Sequence, residues 1–144
     1  MYRNASAAVA AILVRGPEVF MTVRARAPAE GKLDLPGGFV DNDETAEQAL
    51  EREVREELGV EIHGYEYFCS FPNVYPYEGL DYHVLDLFYL VDVEKHGLQQ
   101  MTLSDEIAGC RWLDIASMPF EDLAFPSTRK ALQRFQLARR QAQE

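Results

Sequence analysis

The chain lacks the features that mark several large classes of protein. Its 144 residues include only two cysteines, Cys69 and Cys110, which lie far apart inside apolar segments. Their spacing argues against a disulfide framework and against a cysteine-ligated metal site, and it predicts two buried free thiols. No internal repeat, low-complexity segment or linker is visible. With 47% hydrophobic residues, the chain is expected to fold as a single domain over residues 1–144.

Membrane and nucleic-acid partners are not expected. No apolar run approaches the length that crosses a bilayer. The apolar stretch 8–14 has no polar spacer or cleavage site after it, so it predicts a first strand, not a signal peptide, and a cytoplasmic protein. The formal net charge of −10 disfavours nonspecific binding to nucleic acid. An anionic small molecule would need a metal ion or local basic groups at its site.

The order of apolar patterns predicts a mixed sheet packed between helices. Apolar residues and the break at Gly16-Pro17 predict a hairpin, and Pro126 opens a last helix. The aromatic, proline-containing segment 71–79 is predicted to be a loop. Strands are predicted at 7–15, 18–24, 60–70, 82–93 and 110–114. The expected fold class is therefore α+β, with the layers of an α/β/α sandwich.

The clearest predicted element is a helix over residues 43–58. Thr45 and Gln48 are spaced as a capping box, with Asp43 as an alternative cap, and Gly59 supplies the stop. Every fourth position of the helix is apolar, which predicts a buried stripe of Ala46, Leu50, Val54 and Leu58.

Three carboxylates border this stripe. At about 100° per residue, Glu53, Glu56 and Glu57 point into one arc of roughly 100°. When half-buried, they raise each other's pKa unless a cation lies among them. Such hard oxygen ligands suit Mg²⁺ or Mn²⁺, and Arg52, one turn before Glu56, can orient that carboxylate. The alternative is a solvated acidic face with i,i+4 pairs to Arg52 and Arg55.

The residues around these carboxylates resemble the Nudix family. The box pattern of that family is G-x5-E-x7-R-E-U-x-E-E-x-G-U, where U is a bulky aliphatic residue. Every specified position is matched between Gly38 and Val60, and Leu35-Pro36-Gly37 before the box also resembles the family. The resemblance implies a Nudix-like sheet, a loop–helix–loop, and a divalent metal held against a diphosphate. It also implies an enzyme, a hydrolase of phosphoric anhydrides.

Residue roles follow from this resemblance. By the pattern, Glu53, Glu56 and Glu57 would ligate Mg²⁺, with Mn²⁺ as a substitute. A backbone carbonyl of Gly37 or Gly38 would add a ligand, since glycine permits close approach. Glu44 and Arg52 would tie the loop to the helix, and a helix-dipole role for Glu44 is compatible. The general base would be Glu57 or Glu53, or in a later loop Glu106 with Asp105 as the fallback; an ordinary turn acid is the alternative for Glu106.

Candidate substrate-binding residues lie on both sides of the box. Arg24, Arg26 and Lys32 could contact phosphates, although a solvated strand edge explains at least one of them. Tyr75 and Tyr77 could stack on a base, or belong to a rigid aromatic loop that covers the sheet. Trp112 is ambiguous between core and base platform. The segment Ser70 to Tyr77 partly resembles an array of the family's NADH pyrophosphatases.

Three functions remain open at this level. The first is hydrolysis of a nucleoside diphosphate linked to another moiety, such as a dinucleotide, ADP-ribose or a nucleotide sugar. The second is a MutT-type pyrophosphatase of a nucleoside triphosphate. The third is a non-catalytic module that senses a nucleotide. The partner is expected to be a nucleotide-like small molecule, and the resemblance makes a homodimer a possible assembly.

Overall fold

The computed structural model describes residues 4–93 and 101–143, which form a mixed seven-stranded sheet and two α-helices. The strands are β1 (Ser6–Arg15), β2 (Glu18–Arg24), β3 (Leu33–Asp34), β4 (Gly37–Phe39), β5 (Tyr65–Tyr77), β6 (Leu80–Asp92) and β7 (Ile107–Asp114). The helices are α1 (Ala46–Leu58) and α2 (Pro126–Ala142), and short 3-10 turns occupy Ile115–Ser117 and Phe120–Asp122. Among these residues, no helix is both long enough and apolar enough to span a bilayer.

The sheet is built around β1. Its central order is β3-β2-β1-β6-β5, while β4 pairs with β1 and β7 pairs with β2. β1 runs parallel to β6, from the pair Ser6 and Val84 to the pair Val14 and Asp92, and antiparallel to β2 and β4. This arrangement confirms the predicted hairpin of β1 and β2 and the predicted mixed sheet.

Alternate residues of β1 face two separate cores. Val9, Ala11 and Leu13 pack with the apolar face of α1, whereas Ile12 packs with residues of α2. A strand turns successive side chains to opposite faces, so the two helices cover opposite sides of the sheet. The α/β/α layering predicted from the sequence is therefore confirmed.

Helix α1 begins and ends at the predicted residues of its caps. The Thr45 side chain accepts a hydrogen bond from the Gln48 amide, and the Gln48 side chain accepts one from the Thr45 amide. The helix starts at Ala46, three residues later than predicted. Its cap is Thr45 and not the alternative Asp43, whose φ is 62°. Gly59 ends the helix in the left-handed conformation, with a φ of 67°.

Two predictions about the strands and cysteines were wrong. Residues 60–64 are not strand, and β5 instead continues from Tyr65 through the predicted loop to Tyr77, where a turn leads into β6. Proline is compatible with β5 because this strand lies at the sheet edge, where Pro72 and Pro76 need not donate to a neighbour. Both cysteines are free, but only Cys69 is buried; Cys110 is exposed on β7.

Candidate active site

A glycine turn is pressed between β1 and α1. In the pairing of β4 with β1, Gly37 lies opposite Ala10 and Gly38 lies opposite Val9. A Cβ on Gly37 would lie 2.0 Å from the Val9 carbonyl oxygen. A Cβ on Gly38 would lie 2.5 Å from the carboxylate carbon of Glu53. Gly37 therefore requires glycine, because a Cβ there would strike the backbone of β1, whereas a Cβ on Gly38 would displace the Glu53 carboxylate that lies against the turn.

Glu57 is the most deeply buried carboxylate of the cluster. Its Oε2 accepts a hydrogen bond of 3.0 Å from the backbone amide of Gly37. Burial raises the pKa of Glu57 to about 9. The hydrogen bond from Gly37 lowers this pKa, and repulsion from Glu53, Asp34 and Glu106 raises it further. A positive charge beside Glu57 would favour its ionised form and offset the cost of burying that charge.

Arg52 ties the loop to the carboxylates of the helix. Its Nε and Nη2 donate to Glu44 at 2.7 and 2.9 Å, and Nη2 also donates to the Phe39 carbonyl at 3.0 Å. Its Nη1 donates to Glu53 at 2.9 Å and to Glu56 at 3.2 Å. The hydrogen bonds from Arg52 lower the pKa of Glu44 to about 2. One guanidinium thus fixes both the loop and two of the three candidate ligands.

The three glutamates do not share one environment. Glu53 is half-buried, and burial raises its pKa although Arg52 opposes the shift. The side chain of Glu56 is 57% exposed and turns towards Arg52, outside the cavity that Glu53 and Glu57 line. Within residues 4–93 and 101–143, no three acidic, histidine or cysteine side chains converge as a ready metal cage.

The residues at the glycine turn nevertheless fit a divalent cation. Glu53 and Glu57 are hard oxygen donors with raised pKa values, and both face Gly37 and Gly38. A cation there would offset their repulsion, and the missing side chain of Gly38 lets the Glu53 carboxylate lie directly against the turn. These residues would hold Mg²⁺ or Mn²⁺, with Glu56 the least buried of the three candidates.

The loop before β7 brings Glu106 to the same place. The backbone amides of Thr102 and Ser104 each donate 2.9 Å hydrogen bonds, to the carbonyls of Leu58 and Glu57 at the end of α1. The Ala25 amide donates to the Glu106 carbonyl at 3.2 Å. Glu106 therefore lines the cavity, close enough for its charge to raise the pKa of both Glu53 and Glu57.

A cavity of about 410 Å³ extends from the carboxylates across the sheet. Part of its lining is aromatic: the rings of Tyr75 and Phe125 lie 5.6 Å apart at a tilt of 33°. The Arg24 guanidinium lies 5.1 Å from the Phe125 ring. Ala8 and Ala10, two residues apart on β1 and paired with Phe39 and Gly37 of β4, add small side chains to the cavity lining.

The cavity includes polar residues that the sequence reading missed. Asp34 and Asp86 both line it, and burial raises the pKa of Asp34 to about 6 and raises that of Asp86 as well. Asp86 accepts a 2.5 Å hydrogen bond from the buried Ser127 hydroxyl. A signal was present, because Asp86 interrupts the core-facing apolar positions Val84 and Phe88.

The structure brings some predicted site residues together and separates others. Gly37, Gly38, Glu53, Glu57, Glu106, Arg24, Arg26 and Tyr75 line one cavity. Lys32 is exposed outside it, and Tyr77 is 52% exposed at the end of β5. Trp112 also lies outside; it packs edge-on against the buried Phe20, which places it beside the core.

The fold and the site define an α/β/α sandwich domain with candidate metal ligands at one end of an open cavity. Residues 5–135 match the family model described as NUDIX domain, and the chain therefore belongs to this family. A crystal structure of a MutT NUDIX hydrolase from Burkholderia pseudomallei superposes with a TM-score of 0.75 at 27% identity, over 91% of this chain and 98% of that one. The Nudix-like fold predicted from the sequence is confirmed.

Curated relatives in the family carry different names. An NAD-capped RNA hydrolase, NudC, from Stutzerimonas stutzeri is 32% identical over 120 residues, covering 82% of this chain and 40% of the relative. An 8-oxo-dGTP diphosphatase from Escherichia coli is 38% identical over 86 residues, covering 59% of this chain and 64% of the relative. The chain thus spans less than two thirds of either relative. These matches support the predicted enzyme class, a hydrolase of phosphoric anhydrides.

Proposed function

We propose that this domain hydrolyses the diphosphate linkage of a nucleoside diphosphate joined to another moiety, with Mg²⁺ bound at the glycine turn. The observation that carries the proposal is one cavity lined both by the carboxylates Glu53 and Glu57 and by the aromatic rings of Tyr75 and Phe125. A dinucleotide, ADP-ribose or a nucleotide sugar has the matching order of base, diphosphate and second group. In this proposal residues 1–144 act as one domain on small molecules in the cytoplasm.

At the acidic end, the protein supplies position and charge. Glu53 and Glu57, with Glu56 at the rim, would hold the cation, and Mn²⁺ would substitute for Mg²⁺. When bound, the ion neutralises phosphoryl oxygens and lowers the pKa of a bound water. Arg52 keeps Glu53 oriented through its 2.9 Å bond. The close fit of Gly38 against Glu53 holds this carboxylate directly on the glycine turn.

The general base is proposed to be Glu106. It lines the cavity from the loop before β7, which the Thr102 and Ser104 amides fasten to the end of the helix that carries the candidate metal ligands. Glu57 and Glu53 are less suited, because the former accepts from Gly37 and the latter from Arg52. A carboxylate that does not ligate the metal is free to take a proton from the attacking water, a role worth about 10²–10⁴-fold in rate. Arg26, which also lines the cavity, would face the phosphates.

Product identification tests this function. The full chain is incubated with ADP-ribose, NADH, a diadenosine polyphosphate and 8-oxo-dGTP, each with Mg²⁺ and with a chelator, and products are assigned by ³¹P NMR. We expect two phosphorylated halves from at least one linked substrate and no product in chelator. Glu57→Gln should lose about 10²-fold or more in kcat, while the exposed Glu61→Gln should not. Absence of turnover with every compound would refute the proposal.

A second candidate is a MutT-type pyrophosphatase of a nucleoside triphosphate. It is supported by the 38% identity to a diphosphatase named for 8-oxo-dGTP. The products decide between the two, because this reaction releases inorganic pyrophosphate and a nucleoside monophosphate. Metal-dependent nucleotide binding with no turnover would instead favour the sensing module.

A further inference from the structure

The carboxylate of Asp34 contacts two groups of residues that lead to different parts of the cavity lining. We call them the metal end, with Gly37 and Glu57, and the base end, with Arg24, Tyr75 and Phe125. Its Oδ1 accepts a 2.8 Å hydrogen bond from the Leu35 amide, and its Oδ2 accepts a 3.0 Å bond from Nη1 of Arg24. The Asp34 side chain is 18% exposed and the Arg24 side chain is 20% exposed. An ion pair shielded to this degree holds its geometry better than a surface pair does.

One oxygen of Asp34 fixes the chain that leads to the metal end. The segment after Leu35 is fastened to β1, because the Pro36 carbonyl accepts a 2.8 Å hydrogen bond from the Ala11 amide. The next amide, that of Gly37, donates to Glu57 at 3.0 Å. A shift of the Asp34 side chain would therefore be transmitted through three residues to a candidate metal ligand.

The other oxygen fixes the aromatic end through Arg24. The guanidinium also donates from Nε to the Pro28 carbonyl at 2.7 Å and from Nη2 to the Tyr75 hydroxyl at 3.2 Å. The guanidinium also lies 5.1 Å from the ring of Phe125, which packs against the ring of Tyr75. Arg24 was predicted from the sequence to contact phosphate, which stays a prediction; in the structure its guanidinium donates to Pro28, Asp34 and Tyr75.

We propose that Asp34 is a positioning residue that couples the two ends of the cavity. Through Leu35 it holds the glycine turn against Glu57, and through Arg24 it holds Tyr75, so that a base and a cation are kept in one fixed relation. This inference rests on the proposed function, because it assumes a base at Tyr75 and a cation at Glu57. Its consequence is that each ligand strengthens the binding of the other.

Coupling is measured without turnover. Calorimetry gives the affinity of the full chain for Mn²⁺ alone and in the presence of saturating adenosine or guanosine, which have no phosphate to touch the metal. In the wild type we expect one nucleoside to raise the Mn²⁺ affinity by about fivefold or more. In Asp34→Asn, which keeps the acceptor for Leu35 but loses the charge facing Arg24, the ratio should fall towards one.

A matched control is present at the other end of the hairpin. Arg15 pairs with Glu18 at 3.1 Å and lies 3.9 Å from the Trp112 ring, so it has an ion pair and a ring contact of the same kinds as Arg24, but outside the cavity. Arg15→Lys should keep the coupling ratio of the wild type, and Arg24→Lys should lose it. Tyr75→Phe removes only the hydroxyl and should also reduce the coupling ratio. This variant tests the coupling if Asp34→Asn does not fold.

The outcomes separate this inference from the proposed function. Equal ratios in the wild type, Asp34→Asn and Tyr75→Phe would overturn the coupling, as would the absence of any nucleoside effect in the wild type. Hydrolysis of a linked nucleotide together with either result would leave the proposed function standing. Coupling without hydrolysis of any substrate would support the inference while refuting the activity.

Discussion

Gly38 and Glu53 are in such close contact that a methyl group on Gly38 would lie 2.5 Å from the Glu53 carboxylate carbon. Gly38→Ala should therefore displace Glu53 and lower the affinity for Mg²⁺ by at least about tenfold. Calorimetry with the metal alone measures this loss. Gly109→Ala is the control, because nothing lies within 4 Å of that position and its φ is not positive. Equal Mg²⁺ affinity in both variants would show that the contact with Gly38 does not set the metal affinity of Glu53.

Glu57→Gln should have opposite effects on activity and on stability without metal. Burial raises the pKa of Glu57 from 4.5 to about 9, so its stabilising contribution is present below about pH 4.5 and lost as the pH rises through 9. At pH 8 in chelator, the variant should therefore melt at a higher temperature than the wild type. Added Mg²⁺ should raise the melting temperature of the wild type and change the variant little. A lower melting temperature for Glu57→Gln in chelator would contradict this.

Asp34 should give the folded state a distinct pH dependence. Burial raises its pKa from 3.8 to about 6, so its contribution to stability is lost as the pH rises through 6 and regained on acidification. Between pH 7 and pH 5, the unfolding free energy of the wild type should gain about 1 kcal/mol relative to Asp34→Asn. Urea unfolding of metal-free protein measures the difference, and a constant difference across this range would be inconsistent with the shift.

Arg52 should not be replaceable by lysine. Its planar guanidinium donates to Glu44, Glu53, Glu56 and the Phe39 carbonyl. The ammonium group of lysine cannot donate to all four acceptors with this geometry. Arg52→Lys should cost about 1–3 kcal/mol of stability and reduce kcat. Arg55→Lys, on the exposed face of the same helix, serves as the control. Similar denaturation midpoints and kcat values for the two variants would refute the role of Arg52.

Local chemistry made the glycine turn and α1 predictable. The capping box at Thr45, the left-handed stop at Gly59 and the apolar stripe are short-range patterns that each favour the same helix. The sequence therefore placed Glu53 and Glu57 correctly at the turn. The predicted contact of Arg52 with Glu56, one turn apart, is also present. The sequence did not indicate that Glu56 lies outside the cavity that Glu53 and Glu57 line.

Long-range contacts account for the failures. The path of β5 through Pro72 and Pro76 depends on which strand lies at the sheet edge, and no local pattern contains that information. Asp34 was missed because its importance comes from Arg24, ten residues away on β2, and from Tyr75 on β5. The exposure of Cys110 on β7 likewise depends on which face of the sheet is covered there, and no local pattern contains that information.

The alanines of β1 have a consequence for how such a domain can diversify. Ala8 and Ala10 border the cavity, whereas the candidate chemistry is carried by α1 and by the loop before β7. A single added methyl or hydroxyl on either alanine would shrink the chamber while leaving every acidic group in place. Selectivity for the size of the substrate can thus evolve separately from reactivity, by single substitutions on β1. The backbone of this strand is already paired with other strands on both sides.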